Sequence, residues 1–374
     1  MGVPAGKRFY HDFPVAPRLK PMGGMDSPPP HDSPSVTVLV LNWNGAAVLA
    51  RCLEALQAQT FRDFEVLVLD NASTDGSVDD VETRWPGIRL VRFERNLGFS
   101  LANNRGAQMA RGRWLVFLNN DAFPRPDWLE RLMNAALARS DFSSFASRLV
   151  YASNPDQVQS AGDVCNLSGF AWSRGNGFPV TQEYLEVTEV FSPCGAAAMY
   201  SRQAFLEVGG FNEAFISHLE DVDLGFRLRL RGQRCLYVPT AIVEHVVSAG
   251  YGVDSDRTVY QVQRNVVWMY VSNMPGGLFW KYLPAHLATN LVFLAYYTLH
   301  GRARAVWLAK LDALRGLPAV VRRRKVLQGA RIVSPSEIDH QLEHGWFSPY
   351  TLGKHRRTYE RLTPRPASID ASER

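Results

Sequence analysis

Val36-Thr37-Val38-Leu39-Val40-Leu41-Asn42-Trp43-Asn44-Gly45 is a β-branched apolar run of strand length that stops on a polar, turn-prone tetrapeptide. The same arrangement returns three times. Phe64-Glu65-Val66-Leu67-Val68-Leu69 closes on Asp70-Asn71-Ala72-Ser73-Thr74-Asp75-Gly76, and Ile88-Arg89-Leu90-Val91-Arg92-Phe93 reads as a third strand. Trp114-Leu115-Val116-Phe117-Leu118 is a fourth, ending at Asn119-Asn120-Asp121. Leu49, Leu53 and Leu56 recur at helical spacing after the first strand, and a second helix is predicted from about Ser100 to Ala110. Strands alternating with helices at this spacing predict an α/β fold, a parallel sheet covered by helices on both faces.

Outward from this core the pattern loosens. Residues 1–35, with Pro28-Pro29-Pro30-His31-Asp32-Ser33-Pro34-Ser35, read as a disordered leader, and Met22 or Met25 are alternative starts. Between about 140 and 250, strands are expected near 145–151, 190–200 and 234–238, with one clear helix from Asp221 to Arg231. A boundary is placed near 255, where aromatics and then arginines take over. The chain of 374 residues carries a net charge of +5, and its four cysteines (Cys52, Cys165, Cys194, Cys235) form no CxxC pair. That usage predicts free thiols in a reducing compartment, and no apolar stretch of signal length follows Lys7 and Arg8. The catalytic part is therefore expected to face the cytoplasm.

Ligands of open parallel sheets sit at the carboxyl ends of the strands. Three of the four predicted strand ends carry amides or carboxylates: Asn42 and Asn44, Asp70 and Asn71, and Asn119, Asn120 and Asp121. Turn chemistry explains any one cluster, but three on one rim suit the donors and acceptors of a nucleotide. The turn after the first strand lacks G-x-G-x-x-G, and the chain has no G-x-x-x-x-G-K-[ST]. These absences argue against a dinucleotide-binding oxidoreductase and a P-loop phosphotransferase. Without a glycine cradle or P-loop lysine, a diphosphate needs another positive charge, which a divalent cation held by Asp121 would supply. Glu220-Asp221-Val222-Asp223 forms a second centre, three carboxylates at a helix start. They complement a helix dipole, or they include a base whose pKa is raised by the neighbouring Phe211, Phe215, Ile216 and Leu219.

Taken together, these segments resemble the family-two inverting glycosyltransferases of the GT-A fold, in their rhamnosyltransferase-like branch. The matching stretches are Val38–Gly45, Val68–Ser77, Asn96-Leu97-Gly98-Phe99, Asn103-Asn104-Arg105-Gly106 and Leu118–Ala122. Cys194-Gly195-Ala196-Ala197, Val208-Gly209-Gly210-Phe211-Asn212-Glu213 and Glu220-Asp221-Val222-Asp223-Leu224 complete the set. The resemblance implies that Asp70 contacts the donor's base or ribose beside Asn42 and Asn44, with Asn96, Gly98, Asn103 and Asn120 along the nucleotide–sugar path. Asp121 matches the last carboxylate of the family's D-x-D element, whose first position here is Asn119. Asp221 matches the catalytic base, with Glu220 next to it. Cys194, Gly195 and His218 fall on the acceptor side. His245, in Ala241-Ile242-Val243-Glu244-His245, stands where some members place a metal ligand, although a lone histidine is more often structural.

The resemblance therefore implies an inverting transfer in a single displacement, with Mg²⁺ or Mn²⁺ as cofactor. The donor would be a nucleotide-diphospho-sugar, dTDP-rhamnose first and UDP-hexoses next. The acceptor would be a glycan or polyprenyl-linked hydroxyl in cell-envelope polysaccharide synthesis. A sugar nucleotidyltransferase is the alternative enzyme, yet its glycine-rich basic loop after the first strand is absent. Nothing calls for a nucleic-acid partner. Residues 278–299 are nearly long enough to span a bilayer but are broken by Lys281, Pro284, His286 and Asn290. Aromatics and a basic stretch follow (Arg302, Arg304, Lys310, Arg315, Arg322, Arg323, Arg324, Lys325), so an in-plane helix pair on an anionic membrane surface is predicted. The alternative is a helical hairpin packed on the catalytic domain or a homodimer partner. The expected organisation is a leader (1–35), a GT-A catalytic domain (36–255), a helical membrane-surface region (256–335) and a tail (336–374), with the enzyme peripheral on the inner face of the cell membrane.

Overall fold

A computed structural model describes residues 33–246, 255–346 and 348; residues 1–32 of the expected leader lie outside the described residues. Twelve strands and ten helices follow in chain order within that range. The first half runs β1 (Val36–Asn42), α1 (Leu49–Gln57), β2 (Phe64–Asp70), α2 (Val81–Arg84), β3 (Ile88–Arg92), α3 (Gly98–Met109) and β4 (Trp114–Asn119). Then come β5 (Ala122–Pro124), α4 (Trp128–Ala138), β6 (Ser144–Tyr151), β7 (Asn154–Ser160), β8 (Asp163–Cys165) and β9 (Ala171–Ser173). β10 (Thr188–Val190), β11 (Ala197–Ser201), α5 (Arg202–Glu207), α6 (Glu220–Leu230) and β12 (Cys235–His245) complete the sheet region. The remainder is helical: α7 (Asp256–Asn273), α8 (Gly276–Tyr297), α9 (Ala303–Gly329) and α10 (Pro335–Gln341).

The strand period of two sorts the first apolar run onto two faces. Val36, Val38 and Val40 pack with Leu49, Cys52, Leu53 and Leu56 of α1 and with Trp128, Leu129 and Leu132 of α4. Leu39 joins Leu67, Leu69, Leu115 and Phe117 on the opposite face, under Ala107 of α3, Phe205 of α5 and Leu224 and Leu228 of α6. Each fully buried side chain of this size contributes about 1.5–3 kcal/mol. α3 comes very close to the sheet at Gly106, where a Cβ would meet Leu69 Cδ1 at 2.5 Å.

The sheet is mostly parallel at its centre and takes antiparallel strands on one side, as the GT-A resemblance implies. β4, β1, β2 and β3 are parallel neighbours, but the sheet continues through β11, antiparallel to both β4 and β6, to β12 and β10. The single strand expected over 190–200 is two strands, with Phe191–Ala196 between them as an irregular crossing. That interruption carries Cys194 and Gly195 into the site.

The C-terminal helices pack on this body. α7 and α9 run side by side, with Trp268 Nε1 donating to Ala313 O at 3.0 Å and Gln328 Nε2 to Asn273 O at 2.9 Å. α8 returns alongside them, with Lys310 Nζ donating to Asn290 Oδ1 at 2.5 Å. The region read as a membrane-surface segment has a buried side: Arg264, Asn265 and Asn273 of α7 are buried. Arg323 lies 3.9 Å from the buried Asp223, and Arg324 donates to Val271 O and Met274 O. Neither can face lipid, which corrects the reading of the Arg322–Lys325 run as one exposed patch. Within the stretch read as a tail, Ser334 and Glu337 cap α10 reciprocally, a motif contributing about 1 kcal/mol.

Candidate active site

Register brings the polar strand ends together. Asn42 lies opposite Asp70 across β1 and β2, and Leu41 opposite Asn119 across β1 and β4. Asn42 is fully buried and spends both amide protons inside the protein, on Ser73 Oγ (3.1 Å) and Ser77 Oγ (2.9 Å). Its Oδ1 accepts from Asn120 Nδ2 at 2.7 Å. Asn42 is therefore a brace that ties three rim loops together. Asn44, at φ +51°, accepts from Thr74 N at 2.9 Å, and Asp70 accepts from Ser73 N at 3.2 Å.

The adjoining loop is knitted by amides. Asn71 accepts from Leu97 N at 2.7 Å and donates to Asn96 Oδ1 at 3.0 Å, while Asn96 Oδ1 also accepts from Gly98 N at 2.9 Å. Asn103 donates to Phe99 O, and its buried Oδ1 has no hydrogen-bond partner. Gly98 has φ +76°, and a Cβ there would meet Ile216 Cγ2 at 2.7 Å, so only glycine fits. The donor-side loop and the segment before α6 touch at this point.

Three acidic groups converge at the start of α6. Asp221 is half-buried, its Oδ2 accepting from Gly195 N at 2.8 Å and its Oδ1 from Val222 N at 2.8 Å. Glu220 is buried, with Oε2 lacking any hydrogen-bond partner. Asp163 is buried too, and accepts from Ser192 Oγ (3.1 Å) and Ser173 Oγ (3.3 Å). Burial and then the charge of Asp221 hold the Glu220 and Asp163 carboxyls well above the usual range. Burial also raises Asp221, but the N–H groups of Gly195 and Val222 oppose that rise. Burial thus raises all three carboxyls, and only Asp221 has backbone N–H donors on both of its oxygens to oppose the rise. Sequence reasoning missed Asp163, which sits on a three-residue strand with no local signature.

The nearby thiol and imidazole are uncharged by the same logic. Burial, then Asp163 and Asp221, push Cys194 well up, and burial with Arg257 pushes His218 down to about 4. All four cysteines are free.

The segment preceding α6 is strained. Ile216 (φ +66°, ψ −59°) centres a γ-turn closed by Ser217 N donating to Phe215 O at 2.7 Å. His218 and Leu219 follow at φ +68° and +65°. Non-glycine residues in such conformations cost on the order of 1–3 kcal/mol each and persist only where surroundings impose them.

Residues 37–209 match the family model "Glycosyl transferase family 2". The chain is 31% identical over 242 residues to the N-acetylglucosaminyl-diphospho-decaprenol L-rhamnosyltransferase of Mycobacterium tuberculosis, an overlap of 58% of this chain and 78% of that protein. The chain belongs to glycosyl transferase family 2. It is also 30% identical over 244 residues to the O-antigen biosynthesis protein RfbC of Myxococcus xanthus, covering 61% of this chain but only 18% of that one. The fold is shared with GalNAc-T7, solved with UDP, GalNAc and Mn²⁺ (TM-score 0.51, 19% identical, 65% of this chain and 51% of that chain). It is shared too with S. aureus TarS (TM-score 0.52, 19% identical, 82% and 54%). As a family-two member with the GT-A fold, the protein is a sugar transferase.

Against that family background, the metal expectation meets a two-residue site. His245 Nε2 lies 3.1 Å from Asp121 Oδ1, both side chains buried, with Gln159 Oε1 3.3 Å from Nδ1. Both ring nitrogens therefore face oxygen acceptors. With the Nδ1 proton directed to Gln159, the gap between Nε2 and Oδ1 suits either a second proton or a cation bound by both groups. Imidazole and carboxylate are an acceptable donor pair for Mn²⁺ or Mg²⁺. Among the described residues no cluster of three or more His, Cys, Asp or Glu could hold a metal ion.

Proposed function

We propose that the protein is an inverting glycosyltransferase that moves rhamnose from dTDP-rhamnose to a hydroxyl of a polyprenyl-linked glycan in cell-envelope polysaccharide synthesis. The observation that carries this reading is the geometry of Asp221, a half-buried carboxylate at the start of α6 whose two oxygens are held by the N–H groups of Gly195 (2.8 Å) and Val222 (2.8 Å). It follows in space the amide- and carboxylate-bearing rim of β1, β2 and β4, which suits a nucleotide. The relative's rhamnosyl transfer to a decaprenyl-diphosphate-linked N-acetylglucosamine favours the sugar and the acceptor class. UDP-hexoses are the next donors to try.

Asp70 and the Asn96–Gly98 loop hold the nucleoside and sugar, and Asn42, with Asn120, keeps that rim in shape. The acceptor hydroxyl lies against Asp221, which takes its proton as the new C–O bond forms. The sugar–diphosphate bond breaks on the opposite face, so the anomeric carbon inverts and no covalent enzyme intermediate forms. Asp121 and His245 would hold a divalent ion, whose charge would offset that on the leaving diphosphate.

The reading extends to location. The outward residues of α8, including Trp280, Leu287 and Leu291, are apolar apart from Lys281, Leu299 extends that surface past the helix end, and the outward residues of α9 alternate apolar with basic. Among the described residues no helix is long and apolar enough to cross a membrane. Lying in the plane of an anionic cytoplasmic leaflet suits both faces and brings the site to a lipid-linked acceptor. Nucleoside diphosphate release, measured across dTDP-rhamnose, UDP-glucose and UDP-galactose with decaprenyl-diphospho-N-acetylglucosamine, tests the assignment. Release from none of these donors refutes it.

A further inference from the structure

We infer that Asn265, on α7, is a positioning residue for the catalytic carboxylates, holding the strained Phe215–Leu219 segment that aims Glu220 and Asp221. This rests on the reading of Asp221 as the base. The Asn265 side chain is fully buried, and its Nδ2 lies 3.2 Å from Phe215 O, 3.0 Å from Ser217 O and 2.8 Å from His218 O. Its Oδ1 accepts from Arg264 Nε (3.1 Å) and from a terminal guanidinium nitrogen (2.9 Å), which fixes which end of the amide faces the carbonyls. Arg264 adds a donor of its own to Ala214 O at 2.8 Å.

The held segment is the one that cannot hold itself. Three of its residues, Ile216, His218 and Leu219, occupy positive-φ conformations with no glycine among them. The carbonyls of Ser217 and His218 accept from Asn265, and that of Phe215 is shared between Asn265 and the γ-turn. From the other side, Phe99 N (2.8 Å) and Ser100 N (3.1 Å) donate to Ile216 O, and the Ile216 side chain fills the space over Gly98. The segment is therefore clamped between α3, at the donor loop, and α7. A shift in it moves the first turn of α6 and both carboxylates with it. α7 also reaches the first turn of α6 directly, where Asn273 Nδ2 donates to Asp223 Oδ1 at 2.8 Å. Residues after 255 thus complete the active site although they touch neither donor nor reacting atoms.

Asn265→Ala in the full chain tests this, with Asn265→Ser, which keeps one donor, as the milder variant should the first not fold. Hydrogen exchange of peptides spanning 212–221 is compared with those of β1, β4 and the rest of α7. Turnover is measured with dTDP-rhamnose and decaprenyl-diphospho-N-acetylglucosamine. Faster exchange confined to 212–221 is expected, because the lost donors open that segment locally. Displacement of the base should lower kcat about 100-fold for Asn265→Ala. The donor KM should stay within about threefold, since the rim is untouched. Faster exchange with unchanged kcat overturns the inference, as does a kcat loss without local exchange, or protection lost across the whole sheet. If the wild type transfers no sugar from dTDP-rhamnose, the proposed donor and acceptor fail. The exchange arm then decides alone whether Asn265 holds the segment.

Discussion

Gly195 donates its N–H to Asp221 Oδ2 at 2.8 Å, while Glu220, one residue away, leaves Oε2 without any donor. Two adjacent acids in one helix start are thereby given opposite tasks. One is stabilised as an anion by backbone dipoles; the other is buried where only its neutral form is comfortable.

Asp221→Asn separates proton acceptance from shape. The amide oxygen can still accept from Gly195 N while the bond from Val222 N is lost, so the Gly195 loop and the donor rim should keep their geometry. Loss of the base should lower kcat by about 10²–10⁴-fold. The donor KM should change little, because the rim of Asp70 and Asn96 is unaltered. A variant retaining transfer within about tenfold of wild type would remove Asp221 from the base role.

Glu220→Gln should stabilise the fold, and increasingly so as pH rises. The native Glu220 carboxyl lies well above its unfolded value because burial and the Asp221 charge oppose ionisation. Its contribution is fully present below the unfolded value of about 4.3 and is lost as pH climbs through the raised native one. Gln cannot ionise, so it escapes that loss. Urea midpoints of both proteins between pH 5 and pH 8 should diverge in the variant's favour towards pH 8. A gap that is constant, or that shrinks with pH, contradicts a buried neutral Glu220.

How far the sequence carried these conclusions depended on whether a signal was local. Strand ends at Asn42, Asp70 and Asn119 were legible because apolar runs stop abruptly there, and the start of α6 was placed within one residue by its acids. Asp163 had no such marker; only the pairing of β8 with β9 and its contact with Ser192 bring it to Asp221. Arg264 and Asn265 sit more than forty residues after the carboxylates, in a helix of unremarkable pattern, and only tertiary packing returns them. Arg322-Arg323-Arg324-Lys325 misled for a geometric reason. At 3.6 residues per turn, four consecutive residues cannot share one face. Arg322 and Lys325 point outward, and Arg323 and Arg324 turn inward.

Asp121 and His245 make a metal prediction with a specific order of binding. Two protein groups alone should bind Mn²⁺ weakly, and dTDP should tighten it by adding diphosphate oxygens. Calorimetry with Mn²⁺, with and without dTDP, should show that coupling in wild type and lose it in Asp121→Ala. Gln159→Leu, which frees the His245 ring without removing a ligand, should weaken Mn²⁺ binding about 10–100-fold. Full transfer activity after exhaustive EDTA treatment would end the metal assignment for both residues.

The outer faces of α8 and α9 make the last prediction. Trp280 is 71% exposed, Leu291 65% and Leu299 82%, and Trp307 at 51% continues the apolar surface onto α9. Arg304, Leu311, Leu314, Val321, Arg322 and Lys325 follow at helical spacing on the exposed side of α9. An apolar face alone would suit a second copy of the chain equally well. Interleaved cations do not, because two such faces would repel, whereas anionic headgroups attract each by about 1 kcal/mol. Wild type should float with vesicles containing phosphatidylglycerol at low salt and be released at high salt. Arg304→Gln, Arg322→Gln and Lys325→Gln together should weaken that binding roughly 100-fold, about 3 kcal/mol, without loss of fold. Arg323→Gln and Arg324→Gln should instead lower the melting temperature, since their donors serve the Asp223 region and the end of α7. Wild type that stays in solution beside anionic vesicles at low salt rules out the membrane surface. Sedimentation equilibrium then checks whether the apolar face of α8 closes a dimer.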